Sequence, residues 1–138
     1  MYDDIVMDHI KNARNCRVLD DADRRIEGRN PLCGDELLIF LKVADERIDD
    51  LAFQCSCCGI SMASASMMTE TLKGERVEQA KRIAGDIVAM LESGTPPANE
   101  TVPERLAMLD TVGRFPGRKR CALLPWTTLA EALESGER

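Results

Sequence analysis

Two short hydrophobic stretches in the first half of the chain predict a β-hairpin. Residues 36–43 (ELLIFLKV) and residues 47–54 (RIDDLAFQ) have the length and the apolar content of strands. Only Ala44-Asp45-Glu46 separates them, and a connection of that length joins antiparallel neighbours. We therefore predict that these two strands pair antiparallel.

Most of the remaining hydrophobic positions follow helical spacing. Apolar residues lie on one face over 2–11 and again over 77–91, whereas small residues and methionines over 59–73 predict a buried helix. The rest of the chain is assigned to an irregular charged region over 16–35, a loop over 93–100, a short helix over 102–109, an irregular basic region over 111–120 and a final helix over 121–133. A helix, two strands and then helices predict one α+β domain covering residues 1–138.

Length and charge narrow the class of protein. The chain has 138 residues, which is enough for one hydrophobic core. Its net charge of −6 argues against nucleic acid as the main partner, because phosphate binding favours a basic face. No apolar run approaches the ~18 residues that a membrane-spanning helix needs. The acidic N-terminal stretch MYDDIVMDHIKNARN lacks the apolar core of a secretory signal, so we expect a cytoplasmic protein without a membrane partner.

Six cysteines in a chain that is expected to be cytoplasmic need an explanation other than disulfides. Metal binding or catalysis is the usual explanation, although buried cysteines without a role are common. For Cys16, Cys55 and Cys57 we expect no essential role, and the lack of a second Cys-x-x-Cys pair argues against a zinc finger. The single histidine, His9, is expected at the surface or at a helix cap. A zinc hydrolase is therefore disfavoured, because the metal sites of such enzymes normally recruit histidine.

Cys33 and Asp35 belong to a turn that leads into the first predicted strand. Pro31 and Gly34 mark the turn, and side chains two residues apart can point towards one centre. The Cys-x-Asp pair is thus a candidate metal-binding pair. The alternative is an Asp35 side chain that only bonds the backbone of its own turn.

Cys58 and Cys121 are the other candidate ligands. Cys58 stands between the second predicted strand and the buried helix, and Cys121 opens the predicted last helix directly after Arg118-Lys119-Arg120. A helix N-terminus and nearby cations both stabilise a thiolate, the form of cysteine that attacks or binds metal. The alternative for the three basic residues is a solvated surface patch.

Four blocks of the sequence resemble the iron–sulfur scaffold family that comprises SufU, IscU and the N-terminal domain of NifU. These blocks are YDDIVMDHIKNARN, NPLCGD, CGISMASASMMTETLKG and GRFPGRKRCALLPW, and they span nearly the whole chain. Arg120 stands directly before the last cysteine, where IscU proteins carry His, and residues 93–120 are long enough to hold the insertion of SufU-type proteins. The chain is therefore identified as similar to the SufU branch.

The resemblance implies an α+β fold with a small antiparallel sheet of about three strands packed by helices on one face. It also implies a zinc site formed by Cys33, Asp35, Cys58 and Cys121. Proteins of the SufU type take persulfide sulfur from a SufS-type cysteine desulfurase, as sulfurtransferase-like acceptors rather than classical enzymes. By this likeness Cys33 is the sulfur acceptor and Arg118 supports it.

Two other functions stay open. The same four residues could hold a transient [2Fe–2S] cluster that is passed to client or carrier iron–sulfur proteins. A structural zinc module with an interaction role ranks lower. The chain also departs from the family pattern, because Cys55 and Cys57 replace small residues and Gly59 follows the second ligand cysteine where Ser is usual.

Overall fold

The centre of the fold is a three-stranded antiparallel sheet in which sequence neighbours are also sheet neighbours. The structure is a computed structural model, and it describes residues 4–30, 34–93 and 116–135. The strands are β1 (Arg24–Asn30), β2 (Asp35–Ala44) and β3 (Arg47–Ser56), and the helices are α1 (Asp4–Lys11), α2 (Gly59–Leu72), α3 (Val77–Ser93) and α4 (Pro116–Ser135). This arrangement confirms the α+β fold that the resemblance implied.

The predicted hairpin is the β2–β3 pair, and both strands are longer than predicted. Asp45 and Glu46 form the connection, with φ angles of 53° and 63°. Positive φ at both central residues of a two-residue turn matches the twist of the flanking strands. The register then places Leu37 opposite Cys55 and Glu36 opposite Ser56 at the far end of the pair.

The prediction of irregular structure over 16–35 is wrong for β1. This strand pairs with β2 through contacts such as Ile26 opposite Ile39, although most of its residues are charged or polar. Its hydrogen-bonding partner, rather than its own apolar pattern, makes it a strand. Gly28 lets α4 approach closely, because a Cβ at this position would overlap Thr128 Oγ1.

The two faces of the sheet enter different clusters. On the face that the helices cover, Leu37 and Ile39 of β2 join the main hydrophobic core. On the opposite face Phe40 packs with Leu19 in a small second cluster. Because side chains alternate along a strand, Asp35 shares the helix-covered face with Leu37 and is buried at the end of that row.

The helix predictions hold for α2 and α3 to within two residues at each end. The last helix is different, because α4 begins at Pro116, whereas the sequence predicted an irregular chain up to Arg120. The predicted loop over 93–100 lies outside the described residues beyond Ser93, and the predicted helix over 102–109 lies outside them entirely. Among the helices that the structure describes, none combines the length and the apolar character needed to cross a membrane.

Candidate metal centre

Three of the four predicted ligands converge at one end of the sheet. One ligand atom each from Asp35, Cys58 and Cys121 lies within 4.8 Å of the others. Asp35 and Cys121 are buried and Cys58 is half-buried. Cys33 lies outside the described residues, and so does the side chain of Arg118. The convergence is a fact of the structure, and the fourth ligand remains a prediction.

Asp35 is the first residue of β2 and reaches across to the junction between β3 and α2. Gly34, with a φ of 74°, precedes it, and the Gly34 N–H donates to the Asn30 carbonyl oxygen at 2.8 Å. Glycine adopts such a φ without steric cost, and Asp35, which follows it, is buried. The Asp35 Oδ1 atom then accepts the backbone N–H of Cys58 at 3.0 Å.

Cys58 occupies the position that the sequence predicted, between a strand end and a helix start. It is the N-cap residue of α2, with φ −74° and ψ 168°. Its Sγ atom accepts the backbone N–H of Ser61 at 3.5 Å. This sulfur atom therefore lies where the first backbone N–H groups of a helix have no partner within the helix.

The prediction that Cys121 opens the last helix is wrong. Cys121 lies in the second turn of α4, because the basic residues before it continue the helix. The side chain of Lys119 bonds α3, because its Nζ donates to the Glu92 carbonyl oxygen near the end of that helix at 2.8 Å. Cys121 therefore lacks the helix N-terminus that the sequence assigned to it.

Cys121 is held by a contact between α2 and α4. Pro125 has no N–H, so it cannot donate the usual helical hydrogen bond to the carbonyl four residues earlier, which belongs to Cys121. The Ser61 hydroxyl of α2 lies 3.0 Å from that carbonyl oxygen. A proline inside α4 and a serine on α2 thus place Cys121 at the start of α2.

Ser61 is the residue of this site that the sequence reasoning missed. Its hydroxyl lies 2.9 Å from Asp35 Oδ2 as well as 3.0 Å from the Cys121 carbonyl oxygen, and its single proton is shared between these acceptors. It is fully buried. The signal that could have revealed it is its spacing, three residues after the N-cap Cys58, where a polar residue often completes a helix cap.

Other hydroxyl groups of α2 fix the neighbouring helices. The Ser64 hydroxyl donates to the Ala122 carbonyl oxygen at 2.7 Å and accepts the Trp126 Nε1–H at 3.0 Å. Ser66 Oγ lies 2.6 Å from His9 Nδ1. His9 is 3% exposed, so the expectation that it lies at the surface or at a cap is wrong. Its role among the described residues is to join α1 to α2.

The donor set fits zinc better than a hard cation. Two cysteines and one carboxylate are ligands that zinc accepts, and magnesium or calcium prefers oxygen alone. Cys58 Sγ and Asp35 Oδ2 are 3.9 Å apart. Ligands around a tetrahedral zinc ion are separated by about 3.3–3.8 Å, so the spacing of this pair is close to that of two zinc ligands. A closed tetrahedral site requires one more ligand, and Cys33 is the candidate from the sequence.

Cys55 and Cys57 form a disulfide, and this contradicts the expectation that the cysteines stay unpaired. An expected cytoplasmic location does not decide which sulfur atoms the fold brings together, and the end of β3 brings these two together. Cys16 and Cys58 are not part of a disulfide, and Cys16 is exposed. The disulfide therefore lies directly before the metal-centre residue Cys58 in the chain.

Comparison with known proteins gives a consistent result. The model of the NifU-like N terminal domain matches residues 1–122. Iron-sulfur cluster assembly scaffold protein IscU 1 of Archaeoglobus fulgidus is 44% identical over 96 residues, or 70% of this chain, but the match spans only 63% of that relative's length. The zinc-dependent sulfurtransferase SufU of Bacillus subtilis is 34% identical over 137 residues, covering 99% of this chain and 92% of the relative. A crystal structure described as an iron–sulfur cluster assembly scaffold for the SUF system of Fervidobacterium islandicum superposes with a TM-score of 0.87 at 30% identity, covering 96% of both chains.

Proposed function

The chain belongs to the NifU-like N-terminal domain family, and on that premise we propose that it serves iron–sulfur cluster assembly as a zinc-dependent sulfur acceptor. The observation that carries the proposal is the convergence of Asp35, Cys58 and Cys121 within 4.8 Å at the start of α2. Likeness to the Bacillus subtilis sulfurtransferase over 99% of the chain supports the finer role.

The proposed sulfur donor is a cysteine desulfurase of the SufS type, and the proposed acceptor is Cys33. The Cys33 thiolate attacks the outer sulfur of the persulfide on the desulfurase. The sulfur–sulfur bond of the donor breaks, a new one forms on Cys33, and the desulfurase cysteine leaves as a thiolate. Sulfur moves without net oxidation or reduction. Arg118 is proposed as a supporting residue.

Cys33, Asp35, Cys58 and Cys121 would hold zinc, which keeps coordinating thiols deprotonated. Asp35 contributes the one oxygen donor among the four ligands. Because zinc in such a site prefers sulfur, Asp35 would be its weakest ligand. The chain orients this carboxylate in advance, because the Cys58 N–H bonds Oδ1 and the Ser61 hydroxyl lies against Oδ2. A weak zinc ligand that is already oriented, such as Asp35, suits a site in which Cys33 must become available to the sulfur donor.

The test is the turnover of a SufS-type desulfurase with and without the zinc-loaded protein. We expect strong stimulation by the native chain and none by Cys33→Ala, because the acceptor thiol is gone. Cys16→Ala is the matched control, since Cys16 is an exposed free thiol outside the metal centre. Equal stimulation by the two variants would contradict the proposal.

The second candidate function is a scaffold on which a [2Fe–2S] cluster is assembled and passed to client proteins. The name of the Archaeoglobus fulgidus relative and the single oxygen donor Asp35 favour it, since thiolates are the usual ligands and an oxygen ligand makes a cluster easier to release. Anaerobic addition of iron and sulfide, followed by visible spectroscopy, separates the two functions. A stable cluster supports the scaffold, whereas retained zinc without a cluster supports sulfur transfer.

A structural zinc module remains the third outcome of these experiments. It predicts that chelation of zinc unfolds the chain and that desulfurase turnover does not change when the protein is added. Zinc-dependent stimulation of the desulfurase would exclude a purely structural role.

A further inference from the structure

The Cys55–Cys57 disulfide lies beside the metal centre and has no role in the proposed function. Cys55 is the last residue of β3 whose side chain packs on the main core, and Cys57 precedes the N-cap residue Cys58. Both disulfide cysteines are half-buried, so their sulfur atoms are not sealed inside the core. The pair is thus anchored to the main core through Cys55 and is partly accessible to solvent.

We propose that Cys55 and Cys57 are a redox-active pair that reduces sulfur held at the metal centre and releases it as sulfide. On this proposal the Cys55–Cys57 disulfide is the oxidised form of the pair. The inference rests on the proposed function, because it needs persulfide sulfur to arrive at this end of the molecule. It adds a chemical step, since the proposed acceptor only moves sulfur and does not reduce it.

The geometry brings the pair to the ligands from two sides. Cys57 is the chain neighbour of Cys58, and consecutive Cα atoms are about 3.8 Å apart. Cys55 stands opposite Leu37 in the β2–β3 register, two residues from Asp35. A hydrogen bond of 3.0 Å from the Cys58 N–H to Asp35 Oδ1 joins the start of α2 to the start of β2. Along the chain and across the β2–β3 register, the pair is therefore close to the ligand residues Cys58 and Asp35.

Stabilisation of the fold is a poor explanation for the disulfide. The bond links residues only two positions apart, with Ser56 between them. The stabilisation from a disulfide grows with the length of the loop that it closes, because a longer loop loses more freedom in the unfolded chain. A loop this short gives the least stabilisation. A bond that contributes little to the fold can open and close without unfolding it.

The reaction balances in atoms and electrons. One thiolate of the pair attacks the outer sulfur of the persulfide, which moves to the pair and leaves the ligand cysteine as a thiol. The second thiolate attacks the first cysteine's sulfur, forms the Cys55–Cys57 bond and expels sulfide. In total, one persulfide and two thiols give one thiol, one disulfide and hydrogen sulfide. The transferred sulfur gains two electrons, and each sulfur of the pair loses one.

A second reaction must restore the dithiol. The required co-reactant is a thiol reductant, either a small thiol or a protein dithiol, which supplies two electrons by exchange with the disulfide. The partial exposure of both cysteines allows such exchange. Without this reductant the pair acts once per chain.

The experiment is a single turnover without added thiols. A SufS-type desulfurase is loaded with persulfide, freed of cysteine by gel filtration, and mixed anaerobically with the reduced zinc-loaded protein. Sulfide is measured chemically, and mass spectrometry locates the persulfide and the disulfide. The variants are Cys55→Ser, Cys57→Ser and their combination, with Cys16→Ser as the matched control at an exposed free thiol.

We expect about one sulfide per native chain, because one dithiol supplies two electrons, together with a new Cys55–Cys57 disulfide. Cys16→Ser should match the native chain, and the three other variants should keep the persulfide and release no sulfide. Native chains that keep the persulfide and release no sulfide, or a double variant that releases as much sulfide as the native chain, would overturn this inference alone. Native chains that take no sulfur while the desulfurase keeps its persulfide would overturn the proposed function as well.

Discussion

The helices α2 and α3 follow each other in the chain but are buried in opposite ways. In α2, eleven of fourteen residues are buried, and they include three serines and two threonines. In α3, six of seventeen residues are buried, and all six are apolar. α3 is therefore an amphipathic helix of the usual kind, whereas α2 carries hydroxyl groups into the interior of the protein.

The partners of these hydroxyl groups explain the difference. Ser61 lies against Asp35 at the metal centre. Ser64 bonds α4, and Ser66 bonds His9 of α1. Because a buried polar group needs a partner, each serine favours one position of the element that it contacts. α2 thereby orients the metal centre, and α3 contributes apolar contact area. Changes in α3 should then alter stability without affecting zinc, while changes in α2 at the residues beside the ligands should alter zinc binding.

The largest effect on stability is expected from Ile87→Ala in α3. Ile87 is fully buried, and removal of such a side chain leaves a cavity that costs about 2–5 kcal/mol of unfolding free energy. Urea unfolding followed by circular dichroism measures this loss. The zinc content of the folded fraction should not change, and a folded variant that has lost its zinc would break the comparison.

Gly85→Ala on the same helix is the matched substitution of opposite sign. A Cβ at this exposed position meets nothing within 4 Å among the described residues. Replacing a helical glycine by alanine stabilises a helix by about 0.5–1 kcal/mol. The same unfolding experiment should therefore show a small gain, again with unchanged zinc content.

Ser61→Ala in α2 should have the opposite profile. Loss of a residue that orients a ligand lowers metal affinity by about 10–100-fold, while the unfolding free energy of the metal-free chain should fall by only about 1–3 kcal/mol. Competition with a chromophoric chelator measures the zinc affinity. Ser56→Ala is the control, because Ser56 is exposed at the end of β3. Equal zinc affinity of the two variants would mean that Ser61 does not position the ligands.

The smallest effect is expected at the other end of α2, where Asp50 joins two cations. Asp50 Oδ1 lies 2.7 Å from Arg17 and 3.2 Å from Lys73, which caps α2. Burial alone raises the pKa of Asp50, but the hydrogen bonds from Arg17, the Leu51 N–H and Lys73 outweigh burial and hold the pKa below its ordinary value of 3.8. The ionised form of Asp50 is thus stabilised by folding.

The sign of the pH dependence follows from this lowered pKa. The Asp50 carboxylate stabilises the fold fully at pH values above 3.8, and the contribution is lost as the pH falls through its lower folded-state pKa. Asp50→Asn should therefore be less stable than the native chain at neutral pH, and the difference should shrink in acid. The exposed neighbour gives the control Asp49→Asn. A stability difference for Asp50→Asn that does not depend on pH would contradict this assignment, and zinc affinity should be unchanged in both variants.

The hairpin and α2 could be predicted because local pattern determines them, whereas β1 could not. Hydrophobic strands and a short connection specify β2 and β3, and a run of small residues specifies a closely packed helix. β1 exists because β2 offers it a hydrogen-bonding edge, and that is a property of the folded sheet. The charged residues of β1 gave no sign of the pairing.

The site follows the same division. Cys58 could be located because a strand end and a helix start are local features. The start of α4 could not be located, because Pro125 lies well inside this helix rather than near its start. The Cys121 carbonyl, which Pro125 cannot bond, lies against Ser61 of α2. The Cys55–Cys57 disulfide was missed because the sequence argument concerned the compartment and not the distance between two side chains.

The measurement that tests the central claim most directly is zinc-edge X-ray absorption of the purified protein, because it counts the donor atoms at the metal. Ligation by three cysteines and Asp35 predicts three sulfur atoms at about 2.3 Å and one oxygen at about 2.0–2.2 Å. A shell of four sulfur atoms would place Cys55, Cys57 or Cys16 in the site and contradict the account. A shell with two or fewer sulfur atoms would mean that the convergence at the start of α2 does not hold the metal.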